Sequence, residues 1–103
     1  MKLVRDRIPE LAASNGQPAI FHYAHPNEYA RRLRDKLLEE AHEAAAATDP
    51  AALLAELGDV LQVLYALASQ AGYSPAEVEC ARARKARTRG AYRHRLIWHP
   101  PTT

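Results

Sequence analysis

The chain has 103 residues, 48% hydrophobic and 25% charged, with a net charge of +2 and a single cysteine, Cys80. That is the size and composition of one ordinary globular domain. The charge is too small to argue for nucleic acid by itself, and one cysteine excludes an internal disulfide or zinc held by paired thiolates.

The N-terminus, Met1-Lys2-Leu3-Val4-Arg5-Asp6-Arg7, has no apolar run of signal-peptide length, and no segment is expected to span a membrane. These features predict a cytoplasmic, reduced setting. Pro9-Glu10 suits the first turn of a short helix that Asn15-Gly16 ends. Ala19–Ala24 is read as a connector. Asn27, after Pro26, is the expected N-cap of a long helix reaching about Ala47. Thr48-Asp49-Pro50 breaks it, and Asp49 caps a second long helix that reaches about Gln70, with Gly72 as its stop. Ser74-Pro75-Ala76-Glu77 is a capping box that opens a third, ending at Gly90. The tail Tyr92–Trp98 is expected to be extended, and Pro100–Thr103 frayed. The chain is therefore expected to be all-α: a helical bundle of three main helices plus a short N-terminal one, forming a single domain over 1–103.

The second long helix carries a wide apolar arc. With Leu57 at zero and about 100° per residue, Leu53, Leu54, Val60, Leu61, Leu64, Leu67 and Ala68 fall within about ±80°. So broad an arc predicts packing on more than one side, either centrally in the bundle or at a subunit interface. In a chain too short for a large core, that suggests completion by a homodimer or homotetramer.

Carboxylates border this arc. Glu56 falls at about −100° and Asp59 at about −160°, while on the preceding helix Glu40 and Glu43 flank a stripe of Leu33, Leu37, Ala41 and Ala44. A helical hairpin would bring the two pairs face to face. Clustered carboxylates repel and lose hydration unless a cation compensates, and oxygen donors suit Mg²⁺ or Mn²⁺. A single such pair is usually solvated surface; two pairs on consecutive helices, both at the core margin, point to a metal site.

The residues Glu39-Glu40-Ala41-His42-Glu43, a twelve-residue gap, then Glu56-Leu57-Gly58-Asp59 resemble the EExxE…ExxD signature of the MazG-like, all-α NTP pyrophosphohydrolase superfamily. That superfamily also contains phosphoribosyl-ATP pyrophosphohydrolase and the dimeric dUTPases. Lys2–Pro9, Lys36-Leu37, and Lys85 with Arg89–Leu96 resemble the flanks of small members described as phosphoribosyl-ATP pyrophosphohydrolase-like.

The resemblance implies Mg²⁺-dependent cleavage between the α and β phosphates of a nucleotide, releasing pyrophosphate and a monophosphate. It implies Glu40, Glu43, Glu56 and Asp59 as metal ligands, with Glu39 a further ligand or a guide for the attacking water. Lys2, Arg5, Arg7, Lys36, Lys85 and Arg89 are the candidates for gripping the phosphate chain, if the termini fold over the site. His22, His25, His42, His94 and His99 show no metal spacing. A di-iron bundle would want an ExxH from each of two helices, and only Glu39/His42 fits. The other alternative is a non-enzymatic nucleic-acid-binding or adaptor bundle using Arg82–Arg95, which would leave the acids without a purpose.

Overall fold

A computed structural model describes residues 1–17 and 19–101. Four helices account for its regular structure, α1 (Ile8–Ser14), α2 (Pro26–Ala46), α3 (Pro50–Gln70) and α4 (Pro75–Arg89), and there is no strand among the described residues.

Local signals set most of these boundaries. The Asp49 carboxylate accepts from the Ala52 amide at 2.9 Å, with Pro50 in the first turn, which fixes the start of α3. Ser74 Oγ accepts from the Glu77 amide while Glu77 accepts from the Ser74 amide, so the capping box at α4 is complete. Gly72 and Gly90 take positive φ after α3 and α4. The start of α2 differs from expectation. Pro26 already sits in its first turn and His25 is the N-cap, without a side-chain bond, so Asn27 lies inside the helix. The tail also departs: Arg95 has φ 56 and its amide faces the Tyr92 carbonyl at 3.5 Å, so the chain bends where an extended run was expected. The frayed end expected at Pro100–Thr103 lies partly outside the described residues.

The three-residue connection Ala47–Asp49 folds α2 and α3 into a hairpin, and this pair is the body of the molecule. Helix α4 packs only on α3, and α1 packs on no other helix. His22 Nε2 donates to Glu28 Oε1 at 3.0 Å, tying the connector to α2; with Arg32 nearby, this bond holds the Glu28 carboxyl below its ordinary pKa.

The core is small. Among the described hydrophobic residues only Leu33, Val63 and Ala68 are buried. Leu33 lies on the α2 stripe and Val63 faces it from α3. Leu33 is 2% exposed, so Leu33→Ala should cost about 3 kcal/mol, read as a lower urea midpoint; a change within experimental error would show that the hairpin does not depend on this contact.

The wide arc of α3 behaves unexpectedly. The face turned toward α2 runs through Glu56, Asp59, Val63 and Ala66, at the acidic edge of the arc, while Leu53, Leu54, Leu57, Leu61 and Leu64 remain exposed. Among the described residues of one chain, α2 and α4 are the only helices packed on α3, and the leucine side of the arc stays open. The accessible surface is 9304 Å², where a compact monomer of this mass would show about 5,800 Å². The radius of gyration, 17.9 Å, likewise exceeds the value of about 13 Å for a compact chain of 100 residues.

The expectation that no segment approaches a membrane span is corrected by the same helix. Over 21 residues, with a mean hydropathy of 1.6 in its best window, α3 is long and apolar enough by length and composition. Glu56 and Asp59 interrupt its apolar run, but a spanning helix of this length tolerates two charges. Each acid near a bilayer centre would cost about 3 kcal/mol, and here both face α2 instead.

Candidate active site

The hairpin places the two acidic pairs opposite one another. Glu40 and Glu43 come from one side of α2, and Glu56 comes from α3 two helical turns after the Asp49 cap. Carboxylate oxygens of Glu40, Glu43 and Glu56 all lie within 4.8 Å of one another. Glu40 is buried, Glu56 half-buried and Glu43 exposed, so the group sits at the edge of the α2–α3 seam. Glu40 Oε2 and Glu56 Oε2 are buried and have no hydrogen-bond partner. Buried carboxylate oxygens left unpaired are costly, and their convergence calls for a cation.

Lysine enters from within α2. Lys36 Nζ lies 3.3 Å from Glu39 Oε2 and 3.4 Å from Glu40 Oε1. Burial nevertheless pushes the Glu40 carboxyl above its ordinary pKa, with Glu43 and then Asp59 adding repulsion and Lys36 opposing them.

This shift has a testable sign. A carboxyl whose pKa is higher folded than unfolded loses stabilisation as pH rises from about 4.5 through its folded value. In chelator at pH 7, Glu40→Gln should therefore melt above the parent protein, with the gap closing toward pH 4. A variant that melts lower at pH 7 would mean that Lys36 outweighs burial and Glu43.

Asp59 stands beside this trio and is paired with Arg5, whose Nη2 approaches Asp59 Oδ1 to 2.6 Å. The N-terminal segment thereby folds over the hairpin and walls a cavity of about 470 Å³. Arg5, Arg7, Lys36, Glu40 and Asp59 line it together with Tyr29, Gln62 and apolar side chains. Arg7 is also paired with Glu10, at 2.5 Å.

Of the residues singled out in the sequence, the structure brings Glu40, Glu43 and Glu56 into one cluster, with Asp59 and Lys36 beside it and Arg5 and Arg7 on the cavity wall. Glu39 is bonded to Lys36 and borders a second, shallow hollow with Leu38, His42 and Glu43. Lys2, Lys85 and Arg89 are exposed and line neither cavity within one chain; α4, which carries the last two, meets only α3. The expectation that both termini fold over the site thus holds for the N-terminal segment alone.

Tyr29 and Gln62 escaped the sequence reading. Their signal was in the spacing: Tyr29, Leu33, Lys36 and Glu40 recur at helical intervals along one face of α2, and Gln62 follows Asp59 by three positions.

A family model for phosphoribosyl-ATP pyrophosphohydrolase matches residues 12–86, well over half of the chain, including α2, α3 and every clustered carboxylate. The chain belongs to the phosphoribosyl-ATP pyrophosphohydrolase family. No curated protein and no solved structure matches it. Membership makes the chain an enzyme, a hydrolase acting on an acid anhydride with a nucleotide as substrate, and it bears out the MazG-like resemblance read from EExxE…ExxD.

The donors also suit a divalent metal. Three carboxylates converge, two of their oxygens are buried and unpartnered, and no sulfur or imidazole belongs to the group. That is a set for a hard cation that prefers oxygen, and family members of this kind typically need a divalent ion.

Proposed function

We propose that the domain over 1–103 hydrolyses phosphoribosyl-ATP, or a related nucleoside triphosphate, between its α and β phosphates in a Mg²⁺- or Mn²⁺-dependent reaction that releases pyrophosphate and a monophosphate. The single observation that carries this reading is the convergence of Glu40, Glu43 and Glu56 within 4.8 Å, with Glu40 Oε2 and Glu56 Oε2 unpartnered.

Glu40, Glu43 and Glu56 would hold the metal, with Asp59 as the fourth ligand. When bound, the ion supplies an activated water and neutralises phosphate oxygens. The chain's own residues do the rest. Lys36, set by its contacts with Glu39 and Glu40, presents positive charge at the junction of cluster and cavity. Arg5 and Arg7 add guanidinium groups whose geometry suits phosphate oxygens. Glu39 contacts Lys36 from the outer side, and its carboxylate would serve as a further ligand or as a guide for the attacking water. Tyr29 and the apolar side chains of the cavity shield the phosphate chain from bulk water.

The exposed leucines of α3 support a homodimer, or a tetramer built from dimers, in which this face is buried. A second subunit is also the route by which Lys85 and Arg89 would approach a site. The lone, exposed thiol of Cys80 accords with a cytoplasmic setting, and the reaction itself fits nucleotide-pool housekeeping. The adaptor reading is weaker on its own ground: Arg82 is engaged by Glu79 on the same helix through three short contacts, which draws one base out of the Arg82–Arg95 stretch.

The test is pyrophosphate release from phosphoribosyl-ATP and a panel of nucleoside and deoxynucleoside triphosphates, with Mg²⁺ or Mn²⁺ and with chelator. Release that requires the ion and is confined to one substrate class supports the assignment and names the substrate. Release that survives chelator would sink the metal role.

A further inference from the structure

Every ion pair among the described residues spans six positions or fewer, with one exception. Arg5 and Asp59 are 54 positions apart and meet at 2.6 Å. The pair joins the N-terminal segment to the middle of α3. A second bond, from Arg32 Nη1 to the Met1 carbonyl at 3.4 Å, holds the start of the same segment on α2. Leu3 and Val4 lie half-buried between these two anchors.

The four acids are therefore not equivalent. Glu40, Glu43 and Glu56 converge, with two buried oxygens unpartnered, whereas Asp59 is already neutralised by a guanidinium. Arg5 occupies Asp59 Oδ1, and a dication on the same carboxylate would repel that guanidinium, so each weakens the other's hold on Asp59. The arginine also has somewhere to go. Its guanidinium lines the cavity of about 470 Å³ that Lys36 and Glu40 share, and guanidinium forks pair with carboxylate and phosphate alike.

Resting on the assignment above, we propose that Arg5 is a positioning residue that exchanges partners: it holds Asp59 away from the metal in the free enzyme and passes to a phosphate oxygen of the substrate, releasing Asp59 to complete the metal site. Glu40, Glu43 and Glu56 then take an ion without disturbing the N-terminal segment, and Asp59 joins when the phosphate chain arrives. Metal and substrate are coupled through one side chain, and the coupling is reciprocal.

The experiment is calorimetric titration of the full chain with Mn²⁺, comparing the parent with Arg5→Gln, Asp59→Asn and the double variant, beside steady-state kinetics on the best substrate of the panel. Arg5→Gln should bind Mn²⁺ about fivefold more tightly, the size expected for release of one exposed ion pair. The same change made in the Asp59→Asn background should bring no tightening. In kinetics Arg5→Gln should raise KM more than it lowers kcat, and Arg5→Lys, which keeps the charge without the fork, should fall between the two.

Unchanged or weaker Mn²⁺ binding in Arg5→Gln overturns the exchange. So does equal tightening with and without Asp59, because the effect would then be general charge rather than this pair. Failure of the parent itself to bind Mn²⁺ would remove the metal assignment as well, and that outcome is distinct from either of these.

Discussion

Glu56→Gln should reduce pyrophosphate release at least about 10³-fold, or about 4 kcal/mol of barrier, while leaving the fold in place. The size follows from where Glu56 stands. It is the α3 member of the trio, so its loss leaves the ion to the two α2 carboxylates until Asp59 joins, and removes the donor that links the two helices within the trio. Its Oε2 has no partner in the protein, so an amide there forfeits no internal hydrogen bond. Removing one of several repelling carboxylates should hold or raise the melting temperature in chelator, and the rise on adding Mg²⁺ should be lost. Activity and metal-induced stabilisation must fall together. A variant that stays active, or one that still gains stability from Mg²⁺ at the parent's concentrations, would show that the trio is not the metal site.

Charge on the outer face of α3 should have an equally large effect of another kind. Leu57→Glu with Leu61→Glu is expected to weaken self-association about 100-fold or more, or about 3 kcal/mol, measured by sedimentation over a range of concentrations. Leu57 and Leu61 are 50% and 46% exposed in the single chain, one turn apart and in line with Leu53, Leu54 and Leu64. So continuous an apolar row is seldom left in water, and two carboxylates within it cannot be buried against a second copy without partners. The acids of the site face the other way, toward α2, so a change in association can be separated from a change in metal binding. If the parent sediments as a monomer at all concentrations, the homodimer falls and another cover for this face is required.

The helices were legible in the sequence wherever a local device encodes them. Asp49-Pro50 and Ser74-Pro75-Ala76-Glu77 each carry their own hydrogen bonds, and those bonds form as expected. The start of α2 was less legible because two adjacent residues, Pro26 and Asn27, both mark helix beginnings, and the rigid φ of proline took the first turn. The acidic cluster was legible because two pairs at helical spacing flank one short turn. The family resemblance rested on those residues together with the flanks of the chain, and the match over 12–86 bears out the family.

What the sequence concealed is which side of α3 faces α2. Composition favours the leucines as the inner face, yet Val63 is buried and Ala66, Glu56 and Asp59 on its side are half-buried, while most of the leucines stay exposed. A helix wheel gives angles about one axis; the docking of that axis against a neighbour depends on both surfaces. The fate of the basic residues was concealed for a related reason. Arg5 and Lys85 carry similar signals in the sequence, but the segment before α1 folds back on the hairpin, whereas α4 packs on α3 alone.

The turn Ala47–Asp49 gives the molecule uneven tolerance to changes in its length. Residues added within this surface turn leave the phase of both helices intact, because Asp49 restarts α3 wherever the turn delivers it. One residue added between Asp49 and Glu56 would instead rotate everything after it by about 100°. Glu56 and Asp59 would then leave the seam with α2, and the leucine row would turn with them. Insertions and deletions should therefore accumulate in the three-residue turn and be purged from the two helical turns that follow it, although both segments lie exposed on the same end of the hairpin.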